Sequence, residues 1–534
     1  MEQLFYNGDI ITMEDPADKP EAVLVRNGII AAIGTLAEVE AKAGADCQKV
    51  DLQGNTLMPS FVDAHGHVSM TVQYMAMADL SSAESFEDIV QLMKEFQQQQ
   101  DLTHGEYLFG YSYDHNFLKE QTYPTRDILD QVSAEVPVVI WHTSAHMGVA
   151  NSKALEIMGI DENTPDPEGG LIARYPGTQT PNGYLEETAL TPLRELQAKM
   201  KMDLYKQLEE AQMKYIRHGV TTVQDGAANS MTVNLCRQMA NEGRLLIDMV
   251  AYPALGFDKD PSAVLQNNRD CVRQYVNRFK IGGYKLVLDG SPQGKTAWMT
   301  KPYENSGDYC GYPWMKDEIV EGGIRTALAD NQQILVHCNG DAAGDQFLNA
   351  YEKMLAESDN PNKENLRPVM IHCQTVREDQ LDRMQKMKMI PSIFVAHVNY
   401  WGDVHLKNFG QERGSRVSPV RSALNRGLVY NFHTDTPVVQ PDIFHSIWAA
   451  VNRITRNGVL SGPEQRIDVY DALKAVTINA AYEYFEEDQK GSIKQGKRAD
   501  LIVVDENPLK VDPMQLKDIT VLATIKDGQL IYSR

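Results

Sequence analysis

Short apolar runs separated by longer amphipathic stretches set the pattern of most of this chain. Runs near 57–63, 219–225, 246–252, 283–289, 333–338, 369–373, 389–394 and 428–434 have the length and apolar content of buried strands, and helix-like segments lie between them. That alternation predicts an α/β fold with a parallel sheet. Eight such units predict a closed (β/α)8 TIM barrel. The gap after the first run is too long for one helix, so an insertion over roughly residues 70–205 is expected there. Loops after barrel strands stand over the active face, which makes this insertion a candidate lid or substrate subdomain.

The two ends of the chain have a different rhythm. Residues 1–56 read as short strands and turns, with Asn27-Gly28 between two apolar runs as a hairpin signal, because both residues tolerate positive φ. Residues 485–534 have the same rhythm. Ala499 to Asp505 and Val521 to Tyr532 look like strands, the second stretch turning at Asp527-Gly528. Both ends together are expected to build one small β-domain, with residues 57–484 forming the barrel.

Composition narrows the class. The chain has 534 residues, 43% apolar and 23% charged, enough for a large core. A net charge of -22 disfavours nucleic acid and anionic membrane surfaces as partners, leaving a small-molecule substrate as the expected one. The amino terminus lacks the basic start and apolar core of a secretory signal, and no run is long enough to span a bilayer. Six scattered cysteines lack the spacing of a disulfide framework or zinc knuckle, so a reducing cytoplasm is expected.

Chemistry concentrates at the ends of the apolar runs. His65 and His67 follow Leu57 to Val62, and side chains two apart on a strand point to one side, so both imidazoles can meet one metal ion. His337 and His372 each end an apolar run, one βα repeat apart, which would put them at equal levels on neighbouring strands. Lys285 sits inside Gly283 to Gly290, where an unpaired ammonium is costly. It requires either an ion pair, for instance with Asp289, or conversion by carbon dioxide into a carbamate able to bridge two metals. Asp435 ends the last run and is suited to metal binding and to proton transfer, although a turn beside Thr436-Pro437 also accounts for it. Trp298, Tyr400 and Trp401 follow candidate strands, either facing a ligand or packing a lid. The donors together suit zinc and are compatible with manganese, iron or cobalt.

These residues and their surroundings resemble the amidohydrolase superfamily, specifically its YtcJ-like, amidohydrolase-3 branch. The matching motifs are Pro59 to His67, Gly219 to Asp225, Lys285 with Asp289-Gly290-Ser291, His337 with Gly340-Asp341, His372, Asp435 and the returning stretch Gly491 to Leu501. The insertion matches through Gly110 to Asp114, His146 with Asn151 to Leu155, and Thr164 to Gly170. Ser60 departs from a glycine common after the proline, and Cys338-Asn339 from a more apolar pair.

The resemblance implies a β-sandwich at the joined chain ends and one or two divalent metals per chain, with zinc the expected metal. His65, His67 and Asp435 would hold one metal, His337 and His372 the other, and a Lys285 carbamate would bridge them. Asp114 and His146 become candidate substrate contacts. The implied reaction is hydrolysis of a non-peptide carbon–nitrogen bond, in an amide, formamide or cyclic amide, by water that the metal activates, with Asp435 as base and then acid. A mononuclear heterocycle deaminase would need a glutamate soon after His337, where the chain reads Cys338-Asn339-Gly340-Asp341. Ester or lactone hydrolysis would use the same centre, and a non-enzymatic regulatory protein on this scaffold is the alternative of another class. A homodimer is the default assembly.

Overall fold

The computed structural model describes residues 2–99, 107–143, 147–167, 170–197, 199–200, 202–255 and 261–534. They form two compact units, one of residues 1–69 and 212–534, the other of residues 70–211.

In the first unit the apolar runs are strands: β1 (Phe61–Val62), β2 (Val220–Ala228), β3 (Asp248–Pro253), β4 (Gly283–Val287), β5 (Gln333–Cys338), β6 (Val369–His372), β7 (Ile390–Ile393) and β8 (Asn431–Phe432). One parallel sheet runs β1, β2, β3 and on to Phe279–Ile281, and a second runs β4 to β8 in order. A parallel bridge between Ala254 and Lys285 joins the first sheet to the second, and at the other side the Asp435 amide donates to His65 O at 3.0 Å. Helices follow most strands, among them Ser230–Asn241 after β2, Asp317–Ala329 after β4 and Asp341–Glu357 after β5. Val, Ile and Leu fill these strands because both faces of a helix-covered parallel sheet are buried. The fold is of the α/β, TIM-barrel type.

The expected first strand, 57–63, is in fact two strands. Thr56–Pro59 pairs with Asp9–Ile10 and Leu501–Val504, whereas β1 pairs with β2. The switch falls at Ser60, whose amide donates to Asp500 O while the Phe61 amide donates to Gly219 O. The last strand is shorter than 428–434 because the Leu428 amide still bonds to Ala423 O of the preceding helical turn, and because Asp435 has φ +57°. Strands from both chain ends share the sheet ordered Asp9–Ile10, Thr56–Pro59, Leu501–Val504, Val521–Lys526 and Gln529–Ser533. Ile29–Gly34, Ala22–Arg26, Glu2–Tyr6 and Gln48–Asp51 form another. The Asn27-Gly28 and Asp527-Gly528 hairpin turns have the positive φ values their residues permit.

The second unit holds a six-stranded sheet ordered Gly170–Arg174, Pro181–Glu187, Met147–Ala150, Val138–His142, Leu108–Tyr113 and Ala78–Asp79. This unit spans residues 70–211. Among the described residues no helix is long and apolar enough to cross a membrane.

Candidate metal centre

His65 and His67 follow β1, Lys285 lies within β4, His337 and His372 lie at the ends of β5 and β6, and Asp435 follows β8. Their polar atoms converge. Asp435 Oδ1 is 3.2 Å from His67 Nε2 and 3.6 Å from His65 Nε2. Lys285 Nζ is 3.2 Å from His65 Nε2, and His372 Nε2 is 3.0 Å from His337 Nδ1. One ligand atom from each of His65, His372 and Asp435 lies within 4.8 Å of the other two.

Asp435 Oδ1 is buried yet accepts no hydrogen bond from any described residue. A carboxylate oxygen left in that state is costly, and a cation among these donors would satisfy it. Burial, followed by the charge of Lys285 and neighbouring imidazoles, holds His65 well below the ordinary imidazole value. Burial and Lys285 push His337 down to about 3, and burial with its imidazole neighbours holds His372 well below its ordinary value. Neutral imidazole is the form that ligates metal. The residues fit the group their chemistry implies.

Two alternatives left open by the sequence are narrowed by the structure. Lys285 does not pair with Asp289, because Asp289 is already committed to the backbone amides of Trp298, Asn339 and Gly340 at 2.7 to 3.0 Å. Burial pushes Lys285 down to about 7 against the opposing pull of Asp435. His372 is not level with His337, since the β5–β6 register pairs it with Cys338. It has a left-handed φ of +74°, and its Nε2 still reaches His337. Trp401 is packing, buried with Phe394 and Ala396.

Several neighbours that the sequence pattern does not single out hold the donors in place. Gln224, on β2, receives His65 Nδ1 at 2.5 Å through Oε1 and donates through Nε2 to Ala64 O and Tyr484 Oη. His65 Nε2 is thereby left for the centre. His433 Nε2 is 3.3 Å from His372 Nδ1, and its own Nδ1 meets Ser392 Oγ at 2.9 Å. Asp63 accepts from both the Thr434 amide and hydroxyl, linking the ends of β1 and β8. His433 stands in the sequence two residues before Asp435 at the end of an apolar run, a signal of the same kind that exposed His337. Gln224, an amide in a strand, carries no such signal.

Of the two candidate substrate contacts, Asp114 lies in the second unit, buried beside His142, His115 and Asn116. His146 lies outside the described residues.

The sequence profile of the amidohydrolase family matches residues 48–532. The chain belongs to the amidohydrolase family. Membership makes it a hydrolase of carbon–nitrogen bonds other than peptide bonds. This amidohydrolase is 27% identical over 552 residues to the putative amidohydrolase YtcJ of Bacillus subtilis, with all of both chains covered. It is also 27% identical over 556 residues to the N-substituted formamide deformylase of Arthrobacter pascens, covering 99% of this chain and 98% of that one. An uncharacterized metal-dependent hydrolase from Pyrococcus furiosus superposes with a TM-score of 0.74 at 25% identity, over 96% of the amidohydrolase and 100% of its counterpart.

Proposed function

We propose that the protein hydrolyses a carbon–nitrogen bond of a small amide, formamide or cyclic amide at a zinc centre held by His65, His67, Lys285, His337, His372 and Asp435. The observation that carries this reading is the unbonded, buried Asp435 Oδ1 facing two imidazole nitrogens. Similarity over nearly full length to a formamide deformylase supports the bond class.

Bound zinc supplies Lewis acidity and lowers the pKa of water. The chain's residues do the rest. In this reading Asp435 takes the proton from the attacking water and returns it to the departing nitrogen, as one carboxylate can serve as base and then acid. His67 and His65 fix the orientation of that carboxylate, and Gln224 fixes His65. Lys285, with its ammonium weakened by burial, has the neutral amine that adds carbon dioxide, and the resulting carbamate would exchange a buried cation for an anionic ligand with two oxygens.

The same reading takes the two parallel sheets as one closed barrel over 57–484 and the chain ends, 1–56 and 485–534, as a β-sandwich. The bridge at Ala254–Lys285, the Asp435–His65 hydrogen bond and the shared terminal sheet support it. Six free cysteines support a reducing, cytoplasmic setting.

Turnover of metal-loaded protein on a panel of formamides and amides tests the proposal. Asp435→Asn is expected to lower it by about 100-fold or more, the scale of general acid–base catalysis. Undiminished turnover in that variant would sink the assignment. Lys285→Ala is expected to lose about one metal equivalent by elemental analysis.

A further inference from the structure

The second unit brings three side chains of metal-binding type to one point. Asp114 and His115 immediately follow the strand Leu108–Tyr113, and His142 ends the parallel neighbour Val138–His142. His115 Nδ1 is 3.1 Å from His142 Nε2, His142 Nε2 is 3.5 Å from Asp114 Oδ1, and His115 Nδ1 is 3.9 Å from Asp114 Oδ1. The same three residues each offer one ligand atom to a common space.

We propose that Asp114, His115 and His142, all in the second unit, form a second zinc site.

The triangle has the right size. Zinc bonds to nitrogen and oxygen of about 2.0 to 2.1 Å, set tetrahedrally, place ligand atoms roughly 3.3 Å apart. The three edges bracket that value. The shortest edge, 3.1 Å, joins the two imidazoles, and the carboxylate edges are 3.5 and 3.9 Å. Two histidines and an aspartate are a ligand set that zinc accepts, with one position left for water or another ligand.

The surroundings orient the ligands. Asp114 Oδ1 accepts from the Asn116 amide at 2.9 Å and from Asn116 Nδ2 at 2.8 Å, which fixes the carboxylate. The ladder between the two strands slips at Ile140/His142, and the slip pairs His142 with Tyr113 beside the site. Irregularities of this kind re-aim a side chain at the end of a strand. The His115 ring lies against Tyr123, with centroids 4.2 Å apart, and Tyr113 meets His142 edge-on at 5.2 Å. Asp114 and His142 are buried and His115 keeps 21% exposure, enough for an ion to enter.

Zinc titration of the chelator-stripped, full-length chain tests the site by difference. His115→Ala and His142→Asn are each expected to bind about one equivalent less than the unaltered chain, with far-UV circular dichroism unchanged. Equal counts in all three would overturn the proposal. Cobalt in place of zinc supplies a second readout that tolerates a misfolding His142 variant. In a chain whose barrel histidines are all removed (His65→Ala, His67→Ala, His337→Ala and His372→Ala), visible bands of four-coordinate cobalt should appear and vanish on adding His115→Ala. Bands that persist without His115, or none in its presence, would refute the site.

Discussion

Gly226 occupies a place in β2 where a single methyl group would reach His65. A Cβ built there lies 2.2 Å from His65 Cε1 and 2.5 Å from its Nδ1, well inside contact distance. His65 has no room to retreat, since it is fully buried and held by Gln224. Gly226→Ala should therefore lower metal content and cut turnover about 10- to 100-fold, the usual cost of disturbing a ligand's support. Full metal occupancy with normal turnover would show that His65 adapts. The glycine also illustrates what the sequence shows at this scale and what it hides. His65, His67, His337, His372 and Asp435 are legible because each interrupts or ends an apolar run with a residue that hydrocarbon does not favour. Gln224, Gly226 and Glu483 act through contacts with segments far away in sequence, Glu483 through Asn431 Nδ2 at 2.6 Å, and no local pattern marks them.

At the scale of elements, alternation of apolar runs with amphipathic stretches locates the strands because a helix-covered parallel sheet buries both faces. It misplaces their ends, since caps and pairing partners decide where a strand stops. Thr56–Pro59 and β1 form one apolar run but serve different sheets, and only the remote partners Asp500 and Gly219 distinguish them. In the second unit a side chain takes over this role. Asn151 Oδ1 accepts from the Ala154 amide, capping the helix Ser152–Met158, and also from the Val138 amide. Its Nδ2 donates to Ser133 O and Val136 O. One fully buried amide thus ties a helix start to a strand start and to the turn before it. Asn151→Ala removes the cap and leaves buried backbone groups unpaired, so it should destabilise this unit by about 2–4 kcal/mol. Limited proteolysis is expected to cut the variant within residues 107–190 under conditions that spare the unaltered chain. Equal protease resistance would mean that the neighbouring backbone finds other partners.

Over the first unit as a whole, the joining of chain ends to the parallel sheets depends on buried charge. Lys526 Nζ, from a carboxyl-terminal strand, meets Asp248 Oδ2 at 2.6 Å and Asp500 Oδ2 at 2.7 Å, and Lys490 Nζ meets Asp248 Oδ2 at 2.6 Å and Glu486 Oε2 at 2.8 Å. Lys280 pairs with the same Glu486. These side chains are at most 5% exposed, so solvent screens them little. Burial by itself would raise the Asp248 carboxyl, but Lys490 and Lys526 outweigh it and hold it below the ordinary 3.8. A carboxylate with a depressed folded-state pKa contributes stability that is present above its unfolded value and is lost as pH falls towards the folded value. Lys526→Met removes one of the two ammonium groups and leaves Asp248 and Asp500 less compensated, which should cost about 3–5 kcal/mol near neutral pH. With Asp248 less depressed in the variant, its folded state takes up a proton more readily in acid. The gap in urea-unfolding midpoint between the two chains is therefore expected to be widest near neutrality and to narrow below the ordinary aspartate value of 3.8. A gap that stayed constant or widened in acid would place the role of Lys526 in packing its aliphatic stem rather than in holding Asp248 ionised.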